Sequence, residues 1–314
     1  MIKTVLTLFF AICFMSGPAF SQDASGIKPM TFDGREVYHH KLENNKFKPC
    51  IDVLCTPSGR NILRDSPEDH VHHHALMFAV GVNGVDFWGE FNEQCGKQTV
   101  TSNAGKSNTE FDRTGWKKAD FRENTTLDWT LPDGTVALKE TREIAVSRCN
   151  DSGATLLTWH SRLAVMPAAV TLDGEHYYGL GMRFHESMDK NGRFFANTGV
   201  SPGEIVRGDE RLTRCKWMAY TAKLNDKPVT VAVFDFPKNP RPMLAFTMGD
   251  AGGPFAYLSA TVNLFREKLE LTREKPLDFI YGVAVWDGEQ TPETVESTCQ
   301  QWLSQSLDVV SFLN

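Results

Sequence analysis

Beyond residue 28 the alternation of apolar and polar positions is mostly that of strands. Residues 155–165 are β-rich with partial alternation, 229–236 alternate in part and stop at Pro237, and 277–286 form a long β-branched and aromatic run. Pro132-Asp133-Gly134 lies between two such segments and predicts a hairpin turn. Asp173-Gly174 and Asn191-Gly192 are further turn signals. Residues 75–80, Ala-Leu-Met-Phe-Ala-Val, read as buried strand. Strands with this punctuation predict an all-β fold, a large antiparallel β-sandwich, rather than alternating β-α units.

One helix is predicted near the C-terminus. Thr291 can cap it, Pro292 suits its first position, and Val295, Cys299, Trp302 and Leu303 recur at helical spacing. It is expected to cover one edge or end of the sandwich. Residues 307–314 form an apolar tail with no predicted place. With no repeat, charge block or low-complexity linker, residues 22–314 are expected to make a single domain.

The first 21 residues read as a secretory signal peptide. A basic start at Lys3 leads into an apolar run over 4–15, and Ala19-Phe20-Ser21 precedes a cleavage position at Gln22. The expected location is therefore periplasmic or extracellular. Cys13 lies inside the run behind a poor lipoprotein box, so no lipid anchor is expected. No later apolar run is long enough to span a bilayer.

Composition narrows the partners. The chain has 314 residues, 41% of them hydrophobic and 23% charged, with a net charge of −6. That is a globular composition without the basic surface a nucleic-acid partner requires. The 11% aromatic content suits stacked sheets and also sugar-binding clefts. Six cysteines follow the signal, and export makes disulfides plausible, with Cys50 or Cys55 as an expected partner. Buried thiols are the equal alternative.

The richest chemistry lies in Arg64-Asp65-Ser66-Pro67-Glu68-Asp69-His70-Val71-His72-His73-His74, which holds four of the nine histidines. On an extended strand His70, His72 and His74 would share one face, opposite Val71 and His73. Imidazoles in this pattern offer ligands to zinc, copper or iron, or a general acid/base near neutral pH. Asp69 could orient a ring, and Arg64 supplies a cation for a carboxylate or sugar hydroxyls. A second group is Arg183-Phe184-His185-Glu186, where Arg183 and His185 would share a strand face. His185 could act as a base or as a third metal ligand from a distant strand. A third is Asp235-Phe236-Pro237-Lys238-Asn239-Pro240-Arg241-Pro242, a proline-stiffened loop presenting Asn239 and Arg241.

Three passages taken together resemble one family. They are the stretch from Thr56-Pro57-Ser58-Gly59 through Arg64 to His73, then Val82-Asn83-Gly84-Val85-Asp86-Phe87-Trp88, and Phe234 to Arg241. The chain resembles the PmoA-like family of exported bacterial proteins, often labelled "methane oxygenase PmoA", over about Tyr38 to Trp286. Asp69, His70, His72 and His73 match the motif, and His74 stands where another basic residue is more usual. The resemblance implies a secreted supersandwich, mutarotase-like in style, with relatives in glycan-degrading bacteria. The methane monooxygenase subunit is a multi-helix membrane protein, so the label itself is not carried over as chemistry.

These readings converge on a carbohydrate-active enzyme of hydrolase, lyase or epimerase type. Acid/base work falls to His70, His72, His73, His185 or Glu186. Arg64, Asp69, Trp88, Arg183, Asn239 and Arg241 are the candidate sugar contacts, with Trp88 as a stacking face. A divalent metal (zinc, manganese or calcium, with copper or iron behind them) would be held by His70, His72 and His185. The alternatives are a noncatalytic glycan-binding protein and, further off, a metal-dependent oxygenase.

Overall fold

Strands account for most of the structure, a computed structural model that describes residues 30–32, 35–42, 46–107, 121–149, 152–165, 169–199, 203–249 and 253–310. The signal peptide expected over 1–21 and the last tail residues, 311–314, lie outside these. Nine strands form one sheet, in the order Met30–Phe32, Arg35–Lys41, Cys50–Leu54, Leu76–Ala79, Gly179–Arg183, Tyr257–Thr261, Leu244–Met248, Glu210–Arg214 and Glu204–Arg207. Eight form a second: Arg193–Ala196, Trp217–Leu224, Lys227–Asp235, Leu277–Asp287, Ala154–Ala164, Val136–Cys149, Phe121–Thr130 and Lys97–Ser107. A small sheet holds Leu269–Leu271, Val170–Asp173, Gly81–Val82 and Val85–Asp86. Neighbouring strands within the two large sheets pair antiparallel, as at Met182 opposite Leu76 and Leu258.

The two large sheets pack face to face. Phe78, opposite Leu180 in register, meets Trp129 at 6.2 Å and Phe279 at 5.4 Å between ring centroids, both from the eight-stranded sheet. Since side chains alternate along a strand, Gly181 and Arg183 face the other way, off the outer side of the nine-stranded sheet. The expected hairpin forms, with Leu131 N donating to Thr135 O at 2.8 Å and Gly134 at a φ of +88°.

The helix is Pro292–Val310, and Thr291 Oγ1 accepts from Thr294 N at 3.3 Å, as its capping role requires. Val295, Cys299 and Trp302 are buried with Phe234, Ile280 and Trp286 on the outer side of the eight-stranded sheet. Burying a side chain of such size stabilises the fold by roughly 1.5–3 kcal/mol. Trp302 also donates its indole N–H to Thr158 at 3.0 Å.

The expected bridge at Cys50 or Cys55 does not form. Both are buried thiols, as are Cys95, Cys215 and Cys299. Burial pushes the Cys55, Cys215 and Cys299 thiols up to about 12, so they stay protonated and act as small apolar side chains. No helix among the described residues is long and apolar enough to cross a membrane.

Candidate functional site

Three strand ends meet at one end of the nine-stranded sheet: the start of Leu76–Ala79, the end of Gly179–Arg183 and the start of Tyr257–Thr261. The histidine segment runs into the first of these. It is not the extended strand expected from its spacing. Pro67 has no N–H to give a ladder, and the backbone closes on itself instead. His70 N donates to Pro67 O at 3.0 Å, His73 N to His70 O at 2.9 Å, and Ser66 N to His73 O at 2.9 Å. An antiparallel bridge between Asp65 and His74 ties the base. Ser66 and Ala75, on either side, take left-handed φ values of +47° and +46°.

These turns regroup the imidazoles. His70 stacks on His73 at 4.7 Å, His72 meets His73 edge-on at 4.7 Å, and His70 and His72 lie 5.7 Å apart. His74 leaves the group. Aromatic rings surround the trio, with Phe255 4.7 Å from His70, Tyr257 4.7 Å from His73, and Phe91 5.0 Å from His72.

Arg183 anchors the turn to the sheet. Its Nη2 donates to Asp69 at 3.1 Å, and Asp69 is also 3.1 Å from Nδ1 of His70. Asp189 lies 3.9 Å from the same Nη2, and the guanidinium sits 3.7 Å over the Phe255 ring. Among the described residues the Nε and Nη1 groups of Arg183 have no partner, though the residue is 1% exposed. The same holds for His73 Nδ1, the Tyr257 hydroxyl and the Trp88 indole N–H. These residues are neighbours: a Cβ on Gly181 would press into both Tyr257 and Trp88. Buried polar groups are nearly always paired, so this cluster holds hydrogen-bonding capacity that no described residue consumes.

Burial, then the nearby His72 and His70 rings, depresses the His73 pKa to about 2, and burial with the Lys48 ammonium brings His72 to about 4. Both rings are neutral at neutral pH. His74 behaves oppositely. Burial works against its cation, but its nitrogens lie 2.7 Å from Asp65 and 2.8 Å from Glu90, and these carboxylates hold its pKa above the ordinary value. Lys41 pairs with Asp65 at 2.7 Å and Lys48 with Glu90 at 2.6 Å, completing a row of alternating charges beneath the turn.

The metal set expected from the sequence does not assemble. His185 caps the 3-10 turn Glu186–Met188, and its Nδ1 accepts from Ser187 N at 3.1 Å and lies 3.0 Å from Ser187 Oγ, which separates it in role from His70 and His72. The strand ends at Arg183, so His185 lies beyond it and does not share a strand face with Arg183. Among the described residues, the group of potential ligands that does converge is Cys50, Asp65 and His74. Both His74 nitrogens there already face carboxylates, with two lysines alongside, which is a salt-bridge row rather than a cation cage.

The remaining expected contacts divide. Arg64 is half-buried and lies 3.5 Å from the exposed Glu186. Trp88 cannot be a stacking face: it is 1% exposed, stacked on Tyr178 at 5.4 Å and edge-on to Tyr177. Asn239 brackets Ile280, accepting from its N–H at 2.7 Å and donating to its carbonyl at 2.8 Å. Arg241 donates to the carbonyls of Val262, Glu267 and Lys268. Both serve the protein's own backbone. Tyr257, Phe255 and Phe91 are the site residues that sequence reasoning missed. Phe91 carries a local signal, an aromatic residue three positions after Trp88 in a polar loop. Tyr257 is placed by its register opposite Arg183, and Phe255 by the bend just before that strand.

A family model described as "Family of unknown function (DUF6807)" matches residues 29–300. This overturns the resemblance to the PmoA-like family. No curated protein matches the sequence. Among solved structures, a variant of the GH36 alpha-galactosidase AgaA from Geobacillus stearothermophilus, in complex with 1-deoxygalactonojirimycin, aligns with a TM-score of 0.50 at 13% identity, covering 83% of this chain and 40% of that one. The GH36 alpha-galactosidase AgaB from the same organism aligns with a TM-score of 0.49 at 12% identity, with the same coverage. The alpha-galactosidase from Lactobacillus brevis aligns at 0.47 and 8% identity, covering 80% and 38%. At such identities the likeness is one of fold, and this chain spans about 40% of the length of those proteins.

Proposed function

The chain belongs to the DUF6807 family, a family of unknown function, and from that premise we propose that it is an exported carbohydrate-active enzyme that moves protons at a sugar with the histidine turn. The carrying observation is the setting of His70. This partly exposed imidazole has the Asp69 carboxylate on its Nδ1, and the same carboxylate is held by Arg183, whose Nε and Nη1 groups have no partner among the described residues. A carboxylate on one ring nitrogen fixes the ring and leaves the other to take or give a proton.

Division of labour follows from charge. His72, at about 4, is too weak a base to compete for a proton near neutral pH and serves as a neutral hydrogen-bonding partner for a hydroxyl. Arg183 supplies fixed positive charge behind the site, where charge develops on a reacting oxygen. The fold-level likeness to a galactosidase solved with 1-deoxygalactonojirimycin supports a sugar as ligand. Hydrolysis, elimination and epimerisation all need such proton transfer. A noncatalytic glycan-binding protein is the second reading, favoured by the exposed aromatic ring of Phe91 beside the histidines.

The test is product analysis by mass spectrometry over a panel of glycosides and oligosaccharides, with sugar affinity measured alongside. Turnover by the wild type that falls about 100-fold or more in His70→Asn, with affinity retained, supports the enzyme. Binding without turnover supports the second reading. Neither binding nor turnover across the panel overturns both.

A further inference from the structure

Three large apolar side chains stand exposed among the described residues: Phe91 at 71%, Ile205 at 65% and Val71 at 58%. Two of the three belong to the site. Val71 lies between His70 and His72 in the turn, and the Phe91 ring is 5.0 Å from His72.

Phe91 is held there by design of its loop. Asp86 Oδ1 accepts from Trp88 N at 2.7 Å and Gly89 N at 2.9 Å, while Gly96 N returns to Asp86 O at 2.7 Å. A Cβ on Gly89 would press into the Phe91 ring, so the glycine makes room for it. Further along, Glu93 pairs with Lys46 at 2.5 Å and Lys97 at 2.9 Å. A ring presented by a pinned loop loses little freedom when something settles on it.

Size and charge select the occupant. Two side chains make a patch far short of the roughly 800 Å² per partner of a stable protein interface. The patch is also interleaved with hydrogen-bonding groups, which suits an amphipathic ring with one C–H face and a rim of hydroxyls. The cations near it are each matched by a carboxylate: Arg183 by Asp69 at 3.1 Å, Arg64 by Glu186 at 3.5 Å and Lys48 by Glu90 at 2.6 Å. Among the described residues each of these cations already faces a carboxylate, so the spare N–H groups of Arg183 offer hydrogen bonds to a ligand rather than net positive charge.

We propose that the site takes an uncharged sugar ring and that Phe91 is the platform on which the apolar face of that ring rests. This rests on the sugar-site reading above and adds to it both a substrate class and a specificity residue. The experiment is titration calorimetry of the full chain with methyl α- and β-galactopyranoside, methyl α- and β-glucopyranoside, and the corresponding methyl galacturonosides and glucuronosides. Wild type, Phe91→Ala, Phe91→Tyr and Arg183→Lys are compared, each checked for folding by its melting temperature. The expected result is binding of at least one uncharged glycoside, weaker binding of its uronate, a loss of about tenfold in Phe91→Ala, and recovery in Phe91→Tyr. Unchanged affinity in Phe91→Ala, alongside a loss in Arg183→Lys, overturns the platform and leaves the sugar site standing. A uronate preferred over its parent glycoside overturns the substrate class in the same selective way. Wild-type protein that binds none of these probes overturns the platform and the sugar site together.

Discussion

Two buried arginines invite comparison. Arg142, between the large sheets, and Arg183, on the outer face of one of them, are 0% and 1% exposed. Each lies over an aromatic ring, Arg142 at 4.6 Å from Trp159 and Arg183 at 3.7 Å from Phe255. Arg142 grips Glu140 through Nε at 2.8 Å and Nη2 at 3.0 Å, and the same carboxylate accepts from the Trp129 indole at 2.9 Å and from Ser161 at 2.5 Å. Only its Nη1 lacks a partner. Arg183 touches its carboxylate through one nitrogen and leaves two without partners. The first is a closed structural pair. The second keeps hydrogen-bonding capacity unused, and the difference lies in the partner, since Asp69 sits on a partly solvated turn and Glu140 does not.

The largest expected effect breaks the structural member. Arg142→Ala strands Glu140 in the core and is expected to cost about 3–5 kcal/mol in urea denaturation. If the loss is below about 1 kcal/mol, the two arginines are not different in kind. Next comes the functional side, where His70→Asn is expected to lower turnover about 100-fold or more with the melting temperature nearly unchanged. Gly181→Ala is expected to cost about 1–3 kcal/mol, because its methyl group must displace Tyr257 and Trp88. A comparable loss of sugar affinity would show that these two side chains position the site.

The smallest effect separates two adjacent residues by pH. The His74 pKa is raised, so its contribution to stability is complete below the unfolded value of about 6.5 and is lost as pH rises through the folded value. That of His73 is depressed, so its contribution is present above about 6.5 and is lost as pH falls toward the folded value near 2. His74→Gln should therefore flatten the alkaline side of the stability profile and His73→Gln the acid side, by at most about 1.4 kcal/mol per pH unit each. Parallel changes in the two variants would contradict the opposite charge states.

Local patterns in the chain foretold a good part of this. The strands over 155–165, 229–236 and 277–286, the Pro132-Asp133-Gly134 turn and the Thr291 cap all depend on neighbours a few residues apart, and all are present. The histidine segment with Arg183 was legible as a candidate site, because its composition is unusual, and the structure brings the two together through Asp69. What was not legible depends on contacts across the sheets. Trp88 is buried because Tyr177 and Tyr178, about ninety residues later, cover it. Asn239 is claimed by backbone of the Leu277–Asp287 strand and Arg241 by backbone of residues 262–268. The facing of the imidazoles was misread because a period of two was assumed where Ser66 and Ala75 take left-handed conformations and the chain turns twice between them.

That closed base has an evolutionary consequence. With Asp65 bridged to His74 and the next strand starting at Leu76, the eight residues between them leave and rejoin the sandwich at adjacent positions. Because the excursion closes at its own base, a change in its length need not shift the register of the neighbouring strands, whereas changes at Asp69 or His73 would break its contacts with Arg183 and Tyr257.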